Sequence, residues 1–457
     1  MTKQMRIVSA SGQMGYGFPE ESLQRAMTFN PDFIGCDAGS TDAGPYYLGT
    51  GKPFVSRASF KRDAELLVKA ATTAKIPLLL GSCVGGGGNL AVDFTVDVIR
   101  EIAAENNLHF KLAVVYCEQD KDFLKQQLQL GKITSMGYLP ELTEKDIDES
   151  EHIVGLMGAE VFTAALAMGA DIVIAGRTSD TSIFAGLPIE KGFDPGLVWH
   201  AAKVLECGAA STQEFAAGDC IIVTLEEDCF YVEPANPKLH HTPVSVAAHS
   251  LYENSSPFEL YEPSGMIDLS RATYEAVSDR KVRIAGSKFV PAGKYTVKLE
   301  GAARVGYRTI AVMGTRDPIL IAQLDAYEKI VRGTLHEKIR SIYGNSVADD
   351  DYSFSLRKYG INAIMGDKEP DSTLPHEVGV IVDVVAKTQE LSSVIGALAR
   401  TFTLHHDFPG RKCTAGNMAV AYSPSDASMG EVYRFTMEHL LETDDPLLLV
   451  TTTMLDL

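Results

Sequence analysis

No apolar run in this 457-residue chain is long enough to cross a bilayer; AVDFTVDVI, residues 91–99, is among the longest and already carries acids. The first residues, MTKQMRIVSASGQMGYGF, lack a basic segment followed by an apolar one, so no secretory leader is expected. No membrane contact is expected either, and the cytoplasm is the expected compartment. No cluster of Lys and Arg offsets the net charge of −19, which argues against nucleic acid and anionic membrane surfaces as partners. The seven cysteines contain no CxxC pair, and the eleven histidines form no HxxxH-type pattern. A disulfide scaffold and a zinc hydrolase are therefore disfavoured, and the thiols read as reduced and mostly buried. No Gly-Lys-Ser/Thr follows the glycine run and no clean GxGxxG occurs, so neither a Walker loop nor a nicotinamide or flavin site is expected.

What is present is an alternation of apolar strands and helical stretches. MRIVSAS, DFIGCD, IPLLLGS, FKLAVVYCE and DIVIAGR read as five strands, with helices such as PEESLQRAM and VGLMGAEVFTAALAMG between them. The strands are nearly all-apolar rather than alternating, as when helices cover both faces of a sheet. Residues 1–235 are thus expected to form an α/β domain whose sheet is mostly parallel. From 236 the pattern changes. NPKLHHTPVSV and NSSPFELYEPSG read as a long connection, in which His240 and His241 are expected to be solvated. Beyond it KYTVKLEGA, YRTIAVMGTRD, YSFSLRKYG and EVGVIVDVVAKTQE read as strands, and two strand–turn–helix segments look like weak copies of each other. Residues 236–457 are taken as a smaller α+β domain.

In open parallel sheets ligands bind beyond the carboxyl ends of the strands, where loops and helix N-termini converge. Reading only those ends yields Ser9, Ser11 and Gln13; Asp37 with Ser40, Thr41 and Asp42; Ser82 and Cys83 with the glycine run; Glu118; and Arg177, Ser179 and Asp180. Gly85, Gly86, Gly87 and Gly88, followed by Asn89 and a helix, have the mechanics of an anion cradle, bare amides facing a ligand. A permissive tight turn would look the same. Arg177 suits a substrate carboxylate or phosphate, with Ser179 beside it and Asp180 as orienter or base, unless Arg and Asp merely bridge each other. Asp37 and Asp42 could share a divalent cation, split acid and base roles, or simply support their loop, and Glu118, at the fourth strand's end, is a further candidate catalytic carboxylate. Cys83 precedes a helix N-terminus, but no His is placed to activate it. In the second domain His405, His406, Arg411 and Asn417 could close over the cleft.

These same stretches resemble the acyclic terpene utilization AtuA family. The carriers are SASGQMGYGFPEESL, PDFIGCDAGSTDAGPYYLGTG, GSCVGGGGN, GADIVIAGRTSDTSIFAGLPIEKGFDPGLVWHAAKVLECGA and VKLEGAARVGYRTI, with HEVGVIVDVVAKTQEL and PGRKCTAGNMAVAYSPSD extending the match towards the C-terminus. The resemblance implies an intracellular protein of carboxylate or acyl-CoA catabolism, usually encoded with a small partner protein, and brings no established mechanism. Relatives are expected to carry a small Ala where this chain has Cys83, which further weakens a nucleophilic role. Two function classes follow. One is an enzyme moving a proton next to a carboxylate or thioester of a small branched acid, with a lyase, hydratase or isomerase outcome. The other is a non-catalytic acyl-CoA or carboxylate-binding subunit. An anionic small-molecule substrate and a homo-oligomer are expected.

Overall fold

The structure is a computed structural model and describes residues 3–137, 139–216, 218–254 and 256–457. The five strands read from the sequence are Met5–Ser9, Phe33–Asp37, Leu78–Gly81, Lys111–Tyr116 and Ile172–Ala175. They lie side by side and parallel, in the spatial order first, second, third, fifth, fourth. Their all-apolar character has a simple origin. Ile7, Phe33, Leu79, Ala113 and Val173 face a core shared with the helices Glu160–Ala167, Ser182–Glu190 and Pro195–Leu205. The next residues along, Val8, Ile34, Leu80, Val114 and Ile174, face a second core under Arg57–Ala74 and Asn89–Asn106. Because side chains alternate between two buried faces, no position is left for a polar one.

The sheet as a whole is mixed, which corrects the expectation of a mostly parallel one. It has ten strands, and both flanks run antiparallel. On one side Ile221–Leu225 pairs with Met5–Ser9 and is followed by Phe230–Pro234, Val282–Ala285 and Thr273–Ala276. On the other, Thr451–Asp456 returns to pair with Lys111–Tyr116. Only residues 226–229 separate Ile221–Leu225 from Phe230–Pro234. A parallel crossover needs a dozen residues or so, so this connection must reverse the chain.

Two other expectations are revised. The stretch read as a long connection contains the helix Pro243–Ser250, started by the Thr242 cap and a proline at its first turn, and the strands Glu259–Glu262 and Gly265–Asp268. The stretch VGLMGAEVFTAALAMG, read as one helix, is the end of a strand, His152–Leu156, followed by the helix Glu160–Ala167.

The chain forms two compact units, Met1–Ala303 with Phe435–Leu457, and Arg304–Arg434. The change of pattern at 235/236 falls inside the first. In the smaller unit the strand Val378–Ala386 lies antiparallel between Tyr352–Tyr359 and residues 307–315. The helices Leu324–Tyr343 and Gln389–His405 bury Val331, Leu335, Ile395 and Ala399 against it.

Candidate functional site

A cavity of about 420 Å³ opens at the carboxyl ends of the parallel strands, with every lining residue drawn from the larger unit. Gln13 reaches it from beyond the first strand, Asp37 from the end of the second, Ser40 and Asp42 from the loop that follows, and Asp180 from beyond the fifth. Tyr16, Phe54, Phe215 and Tyr252 supply aromatic wall, and Cys207, His249 and Glu253 complete its chemistry-bearing lining. The loop carrying Gln13 and Tyr16 is tied down by Asp63, a fully buried carboxylate that accepts the Gly15 and Gly17 amides at 2.8 and 3.0 Å.

Asp37 and Asp180 face this cavity together. Burial, reinforced by the Asp180 carboxylate, pushes the Asp37 carboxyl well above the ordinary carboxylate range against the pull of Arg177. Asp180 keeps 36% of its side chain exposed. Burial raises it to about 6, opposed by Arg177 and Lys203 and assisted by Asp42 and Glu253. Two like carboxyls facing one cavity favour holding one proton between them.

Arg177 stands behind this pair, 6% exposed. Its Nε donates to Glu300 Oε2 at 2.8 Å, its Nη1 to Ser82 Oγ at 3.0 Å, and Asp180 Oδ1 lies 3.6 Å away. The planar fork is thus spent on the protein's own carboxylate. Glu300 is fully buried and also receives Lys298 Nζ at 2.8 Å and the Thr41 hydroxyl at 3.2 Å. Burial alone would raise its carboxyl, but Arg177 and Lys298 outweigh it and hold Glu300 at about 2. Antiparallel pairing of Tyr295–Thr315 with His152–Leu156, Glu300 opposite Val154, delivers it there. Ser179 turns away from the cavity cluster and donates to Glu262 Oε2 at 2.7 Å.

The glycine run is buried against backbone. A side-chain carbon on Gly87 would lie 2.4 Å from the Arg177 amide nitrogen, and one on Gly86 2.8 Å from Leu48 Cα. On the facing loops, one on Gly39 would lie 2.1 Å from the Gly85 amide nitrogen, and one on Gly176 2.7 Å from the Gly87 carbonyl oxygen. Gly85 and Gly87 also take φ of +123° and +66°, values that side chains disfavour. Close packing of loops therefore accounts for Gly86 and Gly87 and backbone conformation for Gly85, while a side-chain carbon on Gly88 would meet nothing nearer than Glu118 Oε2 at 3.5 Å; Gly85 to Gly88 lie outside the cavity's lining. The helix N-terminus that follows has its anion already: the Asn89 amide donates to Glu118 Oε2 at 2.9 Å. Glu118 Oε1 also pairs with His152 Nδ1 at 2.6 Å, neither residue lines the Asp37–Asp180 cavity, and Glu118 lines a separate recess of about 540 Å³.

In the smaller unit Arg411 donates to the carbonyls of His405, His406 and Cys413 and to Asn417 Oδ1, while Asn417 Nδ2 donates to Asp317 Oδ2 at 2.6 Å. His406 Nε2 meets Thr334 Oγ1 at 2.8 Å. These four residues fasten residues 405–417 onto their own unit. His241, expected in solvent, is 1% exposed and bonded to Ser211 Oγ, whereas His240 pairs with Glu214 nearer the surface. Cys83 is buried and its thiol is pushed up to about 12 by that burial. Among the described residues no three His, Cys, Asp or Glu side chains are grouped to hold a metal, Asp37 and Asp42 included.

Sequence reasoning placed Asp37, Ser40, Asp42 and Asp180 on the cavity but missed Glu300, His249, Glu253 and the buried pair Lys203–Glu206 behind it. The pair did leave a signal: WHAAKVLE is apolar except for charges three apart, so both face the interior of a helix buried throughout. The family model for the acyclic terpene utilisation family protein AtuA matches residues 81–217 and 233–427, more than half of the chain. The chain belongs to this family. The match covers Arg177, Asp180, Glu300 and the glycine run, while Gln13 and Asp37 precede it. No curated protein and no solved structure matches the chain. Membership ties this AtuA family protein to acyclic terpene catabolism. Among the described residues no helix is long and apolar enough to cross a membrane.

Proposed function

We propose that this AtuA family protein is an enzyme that moves a proton next to the carboxylate or thioester of a small branched acid, giving a lyase, hydratase or isomerase outcome. The observation carrying this reading is the pair of carboxyls, Asp37 and Asp180, facing one cavity with aromatic walls. Environments that push two carboxyls apart in acidity separate their roles. Asp37, the deeper of the two and raised by burial and by the neighbouring Asp180 carboxylate, acts as the acid; Asp180, more exposed and raised to about 6, acts as the base. Arg177 touches both fields without lining the cavity, and Glu300 with Ser82 fixes its orientation, so it serves as a positioning residue.

Purified protein incubated with a panel of branched unsaturated acids and their CoA thioesters tests this directly. Turnover without any second protein is expected for at least one of them. Tight binding of a thioester with no turnover across the panel would instead support a binding subunit whose partner performs the chemistry.

A further inference from the structure

The cavity's charge says which form of the acyl group it can admit. Among the described residues its lining includes four carboxyl groups, Asp37, Asp42, Asp180 and Glu253, and no Lys or Arg. The two cations whose charge reaches Asp180 have closer carboxylate partners outside the lining: Arg177 pairs with Glu300, and Lys203, 4% exposed, with Glu206. Two further polar atoms point to a ligand. Gln13 and His249 line the cavity with side chains about nine-tenths buried, and their Nε2 atoms lack a hydrogen-bond partner among the described residues. Buried polar atoms left without a partner are costly, so a bound molecule that engages them is favoured. The Gln13 amide nitrogen is a donor and calls for an acceptor such as a carbonyl oxygen. A free carboxylate would accept that bond too, but would bring its charge among these carboxyl groups, where Arg177 and Lys203 are already engaged by Glu300, Asp180 and Glu206.

Resting on the reading of this cavity as the substrate site, we propose that it takes the acyl group as a neutral carbonyl compound, a thioester or ester, and rejects the free carboxylate. The Gln13 amide donates to the carbonyl oxygen while the aromatic walls hold the branched chain. The proton-transfer chemistry then acts on carbon next to a thioester, whose carbonyl makes that carbon more acidic than a carboxylate does. The reaction that supplies the substrate is therefore an acyl activation that joins the branched acid to a thiol.

The test is equilibrium binding to the full chain at about pH 8, where a free acid is ionised. The probes are one branched unsaturated acid, its methyl ester and its N-acetylcysteamine thioester. The ester and thioester should bind on the order of tenfold or more tightly than the acid, a floor well below the roughly thousandfold of an uncompensated like-charge contact at about 4 Å and an effective dielectric of about 20. Asp42→Asn with Glu253→Gln should recover most of that factor for the acid and leave the ester unchanged; each single variant, checked by a melting curve, should show part of the gain. Gln13→Leu should weaken the ester and thioester. Equal affinity for acid and ester would overturn the charge argument and leave the proton-transfer reading standing. Failure of all three probes to bind a cooperatively folded protein would overturn both.

Discussion

Glu300→Gln isolates the charge that the fold places behind the cavity. The substitution keeps shape and volume, so it leaves no void, and its cost is electrostatic. Wild-type Glu300 is fully buried, bonded to Arg177 at 2.8 Å and to Lys298 at 2.8 Å. A carboxyl held at about 2 rather than 4.5 contributes about 3 kcal/mol. Removing one partner of a buried ion pair typically costs about 3–5 kcal/mol, so the two estimates agree. Because the folded state depresses this carboxyl, its contribution is present above about 4.5 and is lost as pH falls towards about 2. Denaturant unfolding of both proteins should therefore show a gap of about 3 kcal/mol at neutral pH that narrows below pH 4.5. The variant also frees Arg177 to act on Asp180, so the group now at about 6 should titrate lower and any activity limb there should move with it. A gap under about 1 kcal/mol at neutral pH, or one that does not narrow in acid, would refute the reasoning.

Gly87→Ala should lower the melting temperature sharply, since its new carbon would lie 2.4 Å from the Arg177 amide nitrogen; lost ligand binding with unchanged melting would restore a ligand-facing role for the loop. Glu118→Gln should cost about 1 kcal/mol by removing the charge on the Asn89 amide and on His152. The hydrogen bond that His152 donates to Glu118 raises the His152 pKa, so that pair stabilises most at pH below the unfolded histidine value and less as pH rises through the folded one; in Glu118→Gln this slope should vanish, as read by unfolding at several pH values. Iodoacetamide should label the exposed Cys413 and leave the buried Cys83 untouched in the native protein, as followed by mass spectrometry of digests.

The parallel strands were legible because burial on both faces leaves a run such as LLLG with nothing polar in it, and their ends pointed to Asp37 and Asp180 without any motif. The antiparallel flanks were less legible. Thr451–Asp456 reaches its partner across more than three hundred residues, and no local pattern encodes that pairing. Glu300 was hidden for a related reason. In TVKLEGAA the two charges, Lys298 and Glu300, fall on one face of a strand and read as solvent-facing, and only the pairing with His152–Leu156 turns Glu300 inward onto Arg177. The glycine run was conspicuous, but the cause of Gly85 to Gly87 lay in Gly39, Leu48 and Gly176, contacts between loops far apart in sequence.

Solvent deuterium incorporation into a branched unsaturated acyl thioester tests the central claim most directly, because it registers proton transfer even when the overall reaction is reversible. Mass spectrometry of the thioester recovered from D₂O should show label next to the carbonyl with the wild-type protein. Asp180→Asn should slow that incorporation on the order of a hundredfold or more, the usual contribution of a positioned base, while leaving thioester affinity within a few-fold. Incorporation that persists unchanged in both Asp180→Asn and Asp37→Asn would contradict the assignment of these two carboxyls as the proton-carrying pair.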